Sequence, residues 1–425
     1  MTERKLQIES MLMALSKDKS KLVRAAVAEN PNTSPTVLAT LATDKDILVR
    51  SKVAAHKNTP LKILQTLQRD SKVLVREEVA SNPNSSQGIL ADLSSDSSEF
   101  VQSRVAYRMN KTNELIKLSQ DSDAKIRESV GRNPNMPPET LVVLSKDSDI
   151  NVRASVGGNP NTPPETLAVL SKDLNKTVRA GVASNTNTPP KILLALTKDR
   201  SKEVRWNLVA NNREITVECL AELVHDSNED VREWVAKNKK STPQILELLS
   251  RDAAYLVRGM IAYHQNATPQ LLAILSNDSA ELVRNGVSRN SNTSPEVLEK
   301  LSQNAEPGVR NEVACNPNTP SGVLAKLFRD ENSWVRSGVA KNSKNIAQTL
   351  VTFSKDSESQ VRAAVAGHPN TPIKVLHELS IDDDKAVREA VAENPNTPLA
   401  LLIALSGDEE PWVRQAVAKN QQNVL

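Results

Sequence analysis

The sequence predicts an all-α solenoid, and three observations predict it. First, one arginine recurs along the 425 residues: Arg24, Arg50, Arg76, then Gln102, then Arg127, Arg153, Arg179, Arg205, Arg232, Arg258, Arg284, Arg310, Arg336, Arg362, Arg388 and Arg414. These 16 positions are 26 residues apart, except for a step of 25 from Gln102 to Arg127 and one of 27 from Arg205 to Arg232. Second, an aspartate stands six residues ahead of each, from Asp18 to Asp408, with Asn304 the one exception. Third, apolar residues recur at helical spacing and no stretch alternates with period two. A fixed period of this length marks units that pack only on their neighbours.

The Asp-to-Arg offset survives both irregular steps, so that segment is one rigid unit. It reads as the start of a helix, with the aspartate expected at the N-cap, where its side chain accepts from the first-turn amides. Val152 and Val156, Val178 and Val182, and Val387 and Val391 form its buried stripe. A small residue follows (Gly157, Ala183, Ala392) and lets a neighbouring helix come close. Asn then ends the helix, expected in the left-handed conformation, and the following Pro cannot continue it. A second, shorter helix is expected from the Thr-Pro pair: Thr162 as cap, Pro163 in the first position, Glu165 completing a capping box, and Leu167 and Leu170 as the buried face.

The unit Asn159–Pro160–Asn161–Thr162–Pro163 is repeated letter for letter at 316–320 and 394–398. With its flanks it reads Val-Arg-x-x-Val-Ala-x-Asn-Pro-Asn-Thr-Pro-x-x-x-Leu-x-x-Leu-Ser-x-Asp, and this resembles the leucine-rich repeat variant family over essentially the whole chain. The resemblance implies a right-handed superhelix of about 16 two-helix repeats with alternating α- and 3₁₀-helices. Some members of that family carry an iron–sulphur module on clustered cysteines. Here Cys219 and Cys315 are the only cysteines and stand in different repeats, so no such cluster and no cysteine-rich zinc site is expected. The Asp-Arg pair is also similar to the ladder of HEAT repeats.

Residues 1–17 hold half a repeat, with Leu12 and Leu15 matching second-helix leucines, and are expected to cap one end. Residues 18–425 are expected to be one continuous elongated domain. The unit at Gln102 is degenerate, with Arg108 and Met109 in place of Asn-Pro. The unit at Arg205 brings Trp206, the extra residue, and Asn211–Asn212–Arg213 in place of the usual turn. The chain stops at Leu425 just beyond a first helix without a polar cap, which leaves end-to-end self-association open.

Composition excludes several functions. Aromatics are 2% of residues, so the core is thin layers of Val, Leu, Ile and Ala. With 54 basic and 51 acidic side chains the net charge is +3, too balanced to favour nucleic acid. No secretory signal, membrane span, GxSxG motif or glycine-rich phosphate loop occurs. The chain reads as a cytoplasmic, bacterial, non-enzymatic protein with no cofactor.

The ladder Asp147, Arg153, Asp173, Arg179, Asp199 and Arg205 is expected to be structural, each arginine neutralising the aspartate six residues before it or one in the next repeat. His56, His264 and His368 stand in the Asn column and are expected to hydrogen-bond at helix ends. The residues two before, one after and five after each arginine are expected to point away from the buried side. They include Tyr107, Trp206, Tyr263, Trp334 and Trp412, with Arg132, Lys237, Arg289, Lys341 and Lys419. Trp234 and Met260 flank the same face. Exposed aromatics beside basic residues have the composition of binding hot spots. Trp206, Trp234, Lys237, Met260, Tyr263 and Arg289 are therefore the candidate surface for an unidentified protein partner, on first helices that line the concave side by analogy with HEAT repeats. One alternative is a nucleic-acid-binding solenoid or HEAT-like DNA glycosylase, using Trp206, Trp234, Asp230, Glu233 and Arg232; Asp226 as a ready partner for Arg232 argues against it. Another is a head-to-tail self-assembling structural protein.

Overall fold

The repeat 147–172 shows how the unit is built. In the computed structural model, which describes residues 3–108, 112–342 and 347–420, the aspartate is not the N-cap. Asp147 Oδ1 accepts the Asp149 N–H at 2.8 Å, an Asx-type turn, and Asp149 caps α12 (Ile150–Gly158) by accepting from Asn151 and Val152. The repeated carboxylate lies two residues too early to cap. This leaves its other oxygen free for the preceding repeat.

Val152 and Val156 of α12 and Leu167 and Leu170 of α13 (Pro164–Leu170) are buried and form one layer of the core. Asn159 ends α12 at φ −76° and ψ 127°, extended and not left-handed, and no described residue has positive φ. Its side chain accounts for its place instead. Nδ2 donates to the carbonyls of Gly131 and Asn133 in the previous repeat at 2.6 and 2.9 Å, and Oδ1 accepts the Asn161 N–H at 2.8 Å. The amide thus satisfies carbonyls that a helix end leaves without partners.

Thr162 also differs from its expected role. It is buried, and its hydroxyl donates to Val156 O at 2.5 Å, tying the turn back to α12 while Pro163 takes the N-cap position. In the repeats at Ser34, Thr216, Thr242 and Thr268 the cap lies immediately before the helix and the hydroxyl accepts from it. The second helices are α-helical, seven residues long, with single i→i+3 bonds at their margins, such as Ile192 N–H to Pro189 O and Asp199 N–H to Leu196 O. That is less 3₁₀ character than the family resemblance implied.

Among the described residues there are 32 helices, numbered α1 (Glu3–Leu15) to α32 (Pro411–Lys419) along the chain, and no strand. They fall into two compact units. Unit 1 comprises residues 1–86 and 295–425, and unit 2 comprises residues 87–294. Met109 and Leu425 lie outside the described residues.

In each unit the first helices of successive repeats pack along one another, while the second helices of successive repeats touch sparingly. The first helices therefore make the more closely packed layer of each unit. Small residues set the closest approach: a Cβ on Gly181 of α14 (Lys176–Ser184) would lie 2.5 Å from Ala154 O of α12.

The charged ladder runs between repeats. Arg153 donates from Nε to Asp173 at 2.9 Å and from Nη1 to the Asp147 carbonyl at 2.7 Å. Arg179 grips both oxygens of Asp199 at 2.6 and 3.0 Å, and Arg205 grips Asp226 at 2.6 and 2.9 Å. Each of these arginines thus takes the carboxylate of the next repeat and the carbonyl of the aspartate six residues before it. Burial works against the charge of Asp199, but the bonds from Arg179 and the Ser201 N–H outweigh it and hold the carboxyl below its ordinary range. Gln102 keeps only the second half of this arrangement, donating from Nε2 to Asp96 O at 2.6 Å.

Candidate functional site

The candidate residues lie on four first helices of unit 2: α16 (Lys202–Asn211), α18 (Glu229–Lys237), α20 (Tyr255–Tyr263) and α22 (Glu281–Arg289). The irregular step of 27 is absorbed inside a helix. α16 has ten residues where α12, α14 and α18 have nine, and Arg205 reaches its carboxylate across 21 residues instead of 20 with an unchanged fork. The Asn column keeps step as well, with Asn212 Nδ2 donating to the Ala183 and Asn185 carbonyls at 2.8 and 2.9 Å.

Trp206 and Trp234 meet across the α16–α18 junction, ring centroids 5.6 Å apart and planes at 81°. An edge-to-face pair of this kind adds about 0.5–1.5 kcal/mol beyond its buried area. Both indoles are half-buried. The position after the arginine does not point freely outward as expected. Ala25, Ser51, Gly259, Asn311 and Ser337 in that column are all buried. A first helix is covered on both flanks by its neighbours, besides its core face, and this position lies on a covered flank.

The exposed Lys237 places Nζ 4.3 Å from the Trp234 ring centroid. Tyr263 is 39% exposed, and its ring lies where a Cβ on Gly286 of α22 would come within 3.1 Å. Arg289 is exposed at the end of α22, and Met260 is half-buried on α20. The structure thus joins Trp206, Trp234 and Lys237 in one contact group and lays the Tyr263 ring of α20 against α22, the helix that carries Arg289.

Two charged residues of the glycosylase-like alternative, Arg232 and Asp230, have partners of their own. Arg232 is held by the Asp252 carboxylate at 2.6 and 3.0 Å and by the Asp226 carbonyl at 2.7 Å, so Asp226 supplies its backbone and Asp252 the charge. Asp230 pairs with Lys202 at 3.5 Å. His56 and His264 occupy the Asn column: Nε2 meets the Asn30 and Asn238 carbonyls at 3.0 and 2.9 Å, and Nδ1 accepts the N–H two residues on. His368 Nδ1 accepts from Asn370 in the same way. Among the described residues no cluster of His, Cys, Asp or Glu is arranged to hold a metal, and no helix is long and apolar enough to cross a membrane.

A surface missed in the sequence lies on the second helices. Val143, Val169, Leu248 and Ile274, each just before the last leucine of its helix, are 60–70% exposed. Leu248 and Ile274 flank a groove between α19 (Pro243–Leu249) and α21 (Pro269–Leu275), together with Glu247, Arg251 and Gln270. In the sequence these positions share one column of the repeat, which is charged at Asp92, Lys117, Glu222, Lys300, Lys326 and Glu378.

The leucine-rich repeat variant family model matches residues 22–46. No curated protein is significantly similar in sequence. Among solved structures, the chain is similar to a leucine-rich repeat variant with a novel repetitive structural motif, at 24% identity and TM-score 0.36 over 58% of this chain and 87% of that one. It is also similar to Kap121p, at 12% identity and TM-score 0.28 over 97% of this chain and 53% of that one. A third similarity is to Kap95p in a structure with RanGDP, at 10% identity and TM-score 0.31 over 98% and 62%. The chain therefore spans about half the length of the Kap121p chain and 62% of the Kap95p chain.

Proposed function

We propose that this chain, whose repeat at 22–46 is a leucine-rich repeat variant unit, is a non-enzymatic scaffold that binds a protein partner along its first-helix layer. One observation carries this reading. The chain has four tryptophans, three tyrosines and three phenylalanines, and Phe100, Tyr107, Tyr255, Tyr263, Trp334 and Trp412 are all exposed on first helices. The core is aliphatic, so these rings are not needed to build the repeat. Exposed aromatic rings among basic side chains are the usual anchors of protein interfaces.

The near-neutral charge and the pairing of most ladder arginines with carboxylates favour protein over nucleic acid. Repeats of this kind present long surfaces without forming a deep pocket. Two cysteines left as free thiols fit a reducing cytoplasm, where we place the protein.

The test is capture from a lysate with three baits: wild type, Tyr263→Ala with Arg289→Ala, and Trp206→Ala with Trp234→Ala, each with and without nuclease. A protein retained by wild type and lost with Tyr263→Ala/Arg289→Ala supports the scaffold and locates its face. Capture that nuclease abolishes replaces this reading with the nucleic-acid one. Equal capture by all three baits removes these residues from the site.

A further inference from the structure

Unit 1 contains a repeat junction that the chain order conceals. α32 packs against α2 (Lys21–Glu29), although the two stand at opposite ends of the sequence. Arg414 donates from Nε and Nη2 to Asp18 at 2.6 and 3.0 Å, the same fork that Arg388 makes on Asp408 at 2.7 and 3.1 Å. The partner of Arg388 lies 20 residues ahead, whereas that of Arg414 lies 396 residues back.

Asp18 is placed as an interior member of the ladder. Its Oδ1 accepts the Ser20 N–H at 2.7 Å, and its carbonyl accepts from Arg24 Nη1 at 2.8 Å, as the Asp44 carbonyl accepts from Arg50 at 2.7 Å. The second ladder crosses the same junction: Asn30 Nδ2 donates to Ala418 O as Asn82 Nδ2 donates to Ala54 O. α1 contacts α2 as a second helix contacts the first helix after it, and contacts α32 as a second helix contacts the first helix before it. Ile8, Met11, Leu12 and Leu15 of α1 are buried there. So α32 and α1 together form one complete two-helix repeat, divided between the last and first helices.

We propose that this divided repeat is a clasp whose halves also mate between two copies of the chain. The two halves use the general chemistry of the repeat, so nothing in the recognition distinguishes one copy from another. No peptide segment links α32 to α1, unlike the two helices of every other repeat, so the clasp is held by non-covalent contacts alone. Opening it leaves a carboxylate on one face and a guanidinium on the other, both lined by apolar side chains. Each face then has one complementary partner, the other face, in cis or in trans. Exchange between two copies satisfies both faces of both chains in a closed, symmetric pair.

The test uses full-length chains. In wild type, hydrogen exchange of α2 and α32 is expected to be as slow as that of the first helices inside unit 1, and the chain is expected to sediment as a monomer. Exchange of α2 and α32 at the rate of frayed ends overturns the clasp without touching the partner-binding reading. Asp18→Arg and Arg414→Asp each place like charges in the fork. Each alone is expected to stay monomeric and to exchange α2 amides at least 10-fold faster. Mixed in equal amounts, Arg414 of one chain meets Asp18 of the other and the two substituted residues meet each other, so a 1:1 dimer is expected by sedimentation. A mixture that stays monomeric overturns mating in trans. If either variant fails to fold, the wild-type exchange pattern still decides the clasp. Trans mating is then read from wild type refolded at high concentration, where a stable dimer supports it and monomer alone overturns it.

Discussion

The α12–α14 and α16–α18 junctions share one ladder and differ in almost everything beside it. At the first, glycines let the helices touch, with Gly157 and Gly181 both lying against backbone atoms of the neighbouring repeat. At the second, two indoles fill the space between helices and one helix carries an extra residue. Yet the same fork crosses both, from Arg153 to Asp173 at 2.9 Å and from Arg205 to Asp226 at 2.6 Å. The polar columns therefore set which residue faces which, and the residues one to four places after the arginine set how closely the helices pack. A repeat protein can vary the second without losing the first, and that is where a distinctive surface can be introduced.

The largest expected effect tests the shared part. Arg153→Ala leaves Asp173 without its partner, the two side chains being 19% and 14% exposed, and is expected to cost about 3–5 kcal/mol. Arg205→Ala is expected to cost about the same, which urea unfolding of the two variants would measure. A clearly smaller loss at Arg205 would show that the wider junction relieves the ladder and would break the comparison.

Next comes the spacing. Gly181→Ala drives a methyl into Ala154 O and is expected to cost about 1–3 kcal/mol, as overpacking does. Gly158→Ala, with nothing within 4 Å of the added carbon, is expected to gain about 0.5 kcal/mol from helix propensity. Equal effects at the two glycines would show that close approach is not what the small column supplies.

A double-mutant cycle on Trp206→Ala and Trp234→Ala sharpens the other half of the comparison. Coupling of about 0.5–1.5 kcal/mol is expected from the edge-to-face pair. No coupling would mean that the indoles stabilise nothing together and serve only as surface.

The smallest expected effect is on acid stability. Burial pushes His56 and His368 below the usual imidazole range. The unfolded chain therefore takes up protons first, and their contribution is present above pH 6.5 and lost as pH falls from 6.5 through the folded values. The ladder aspartates, held below 3.8 in the folded state, lose their contribution only as pH falls from about 3.8 downward. His56→Asn with His368→Asn should remove the first decline and leave the second. Thermal melts between pH 7 and pH 4 that are the same for both chains would show that the histidines do not titrate with unfolding.

Much of this molecule is local, and local features are legible in a sequence. The 26-residue period, the paired helices, the buried Val152, Val156, Leu167 and Leu170, and the tie between arginine and aspartate all follow from residue spacing. The candidate surface was only half legible. Periodicity separates the core side of a helix from the rest, but it does not show that neighbouring repeats cover the flanks, so Trp206 was expected to stand clear and is half-buried instead. Capping was misread for a related reason. Asp147 and Asn159 look like local helix signals, and their side chains also bind the previous repeat.

Sequence by itself determined the repeat and its register, because each unit is written out again every 26 residues. Only the tertiary structure decided which aspartate each arginine takes, how the indoles pack, and that Asp18 lies within reach of Arg414. Spacing along the chain carries the first kind of information. The second depends on contacts between repeats, which no single repeat contains.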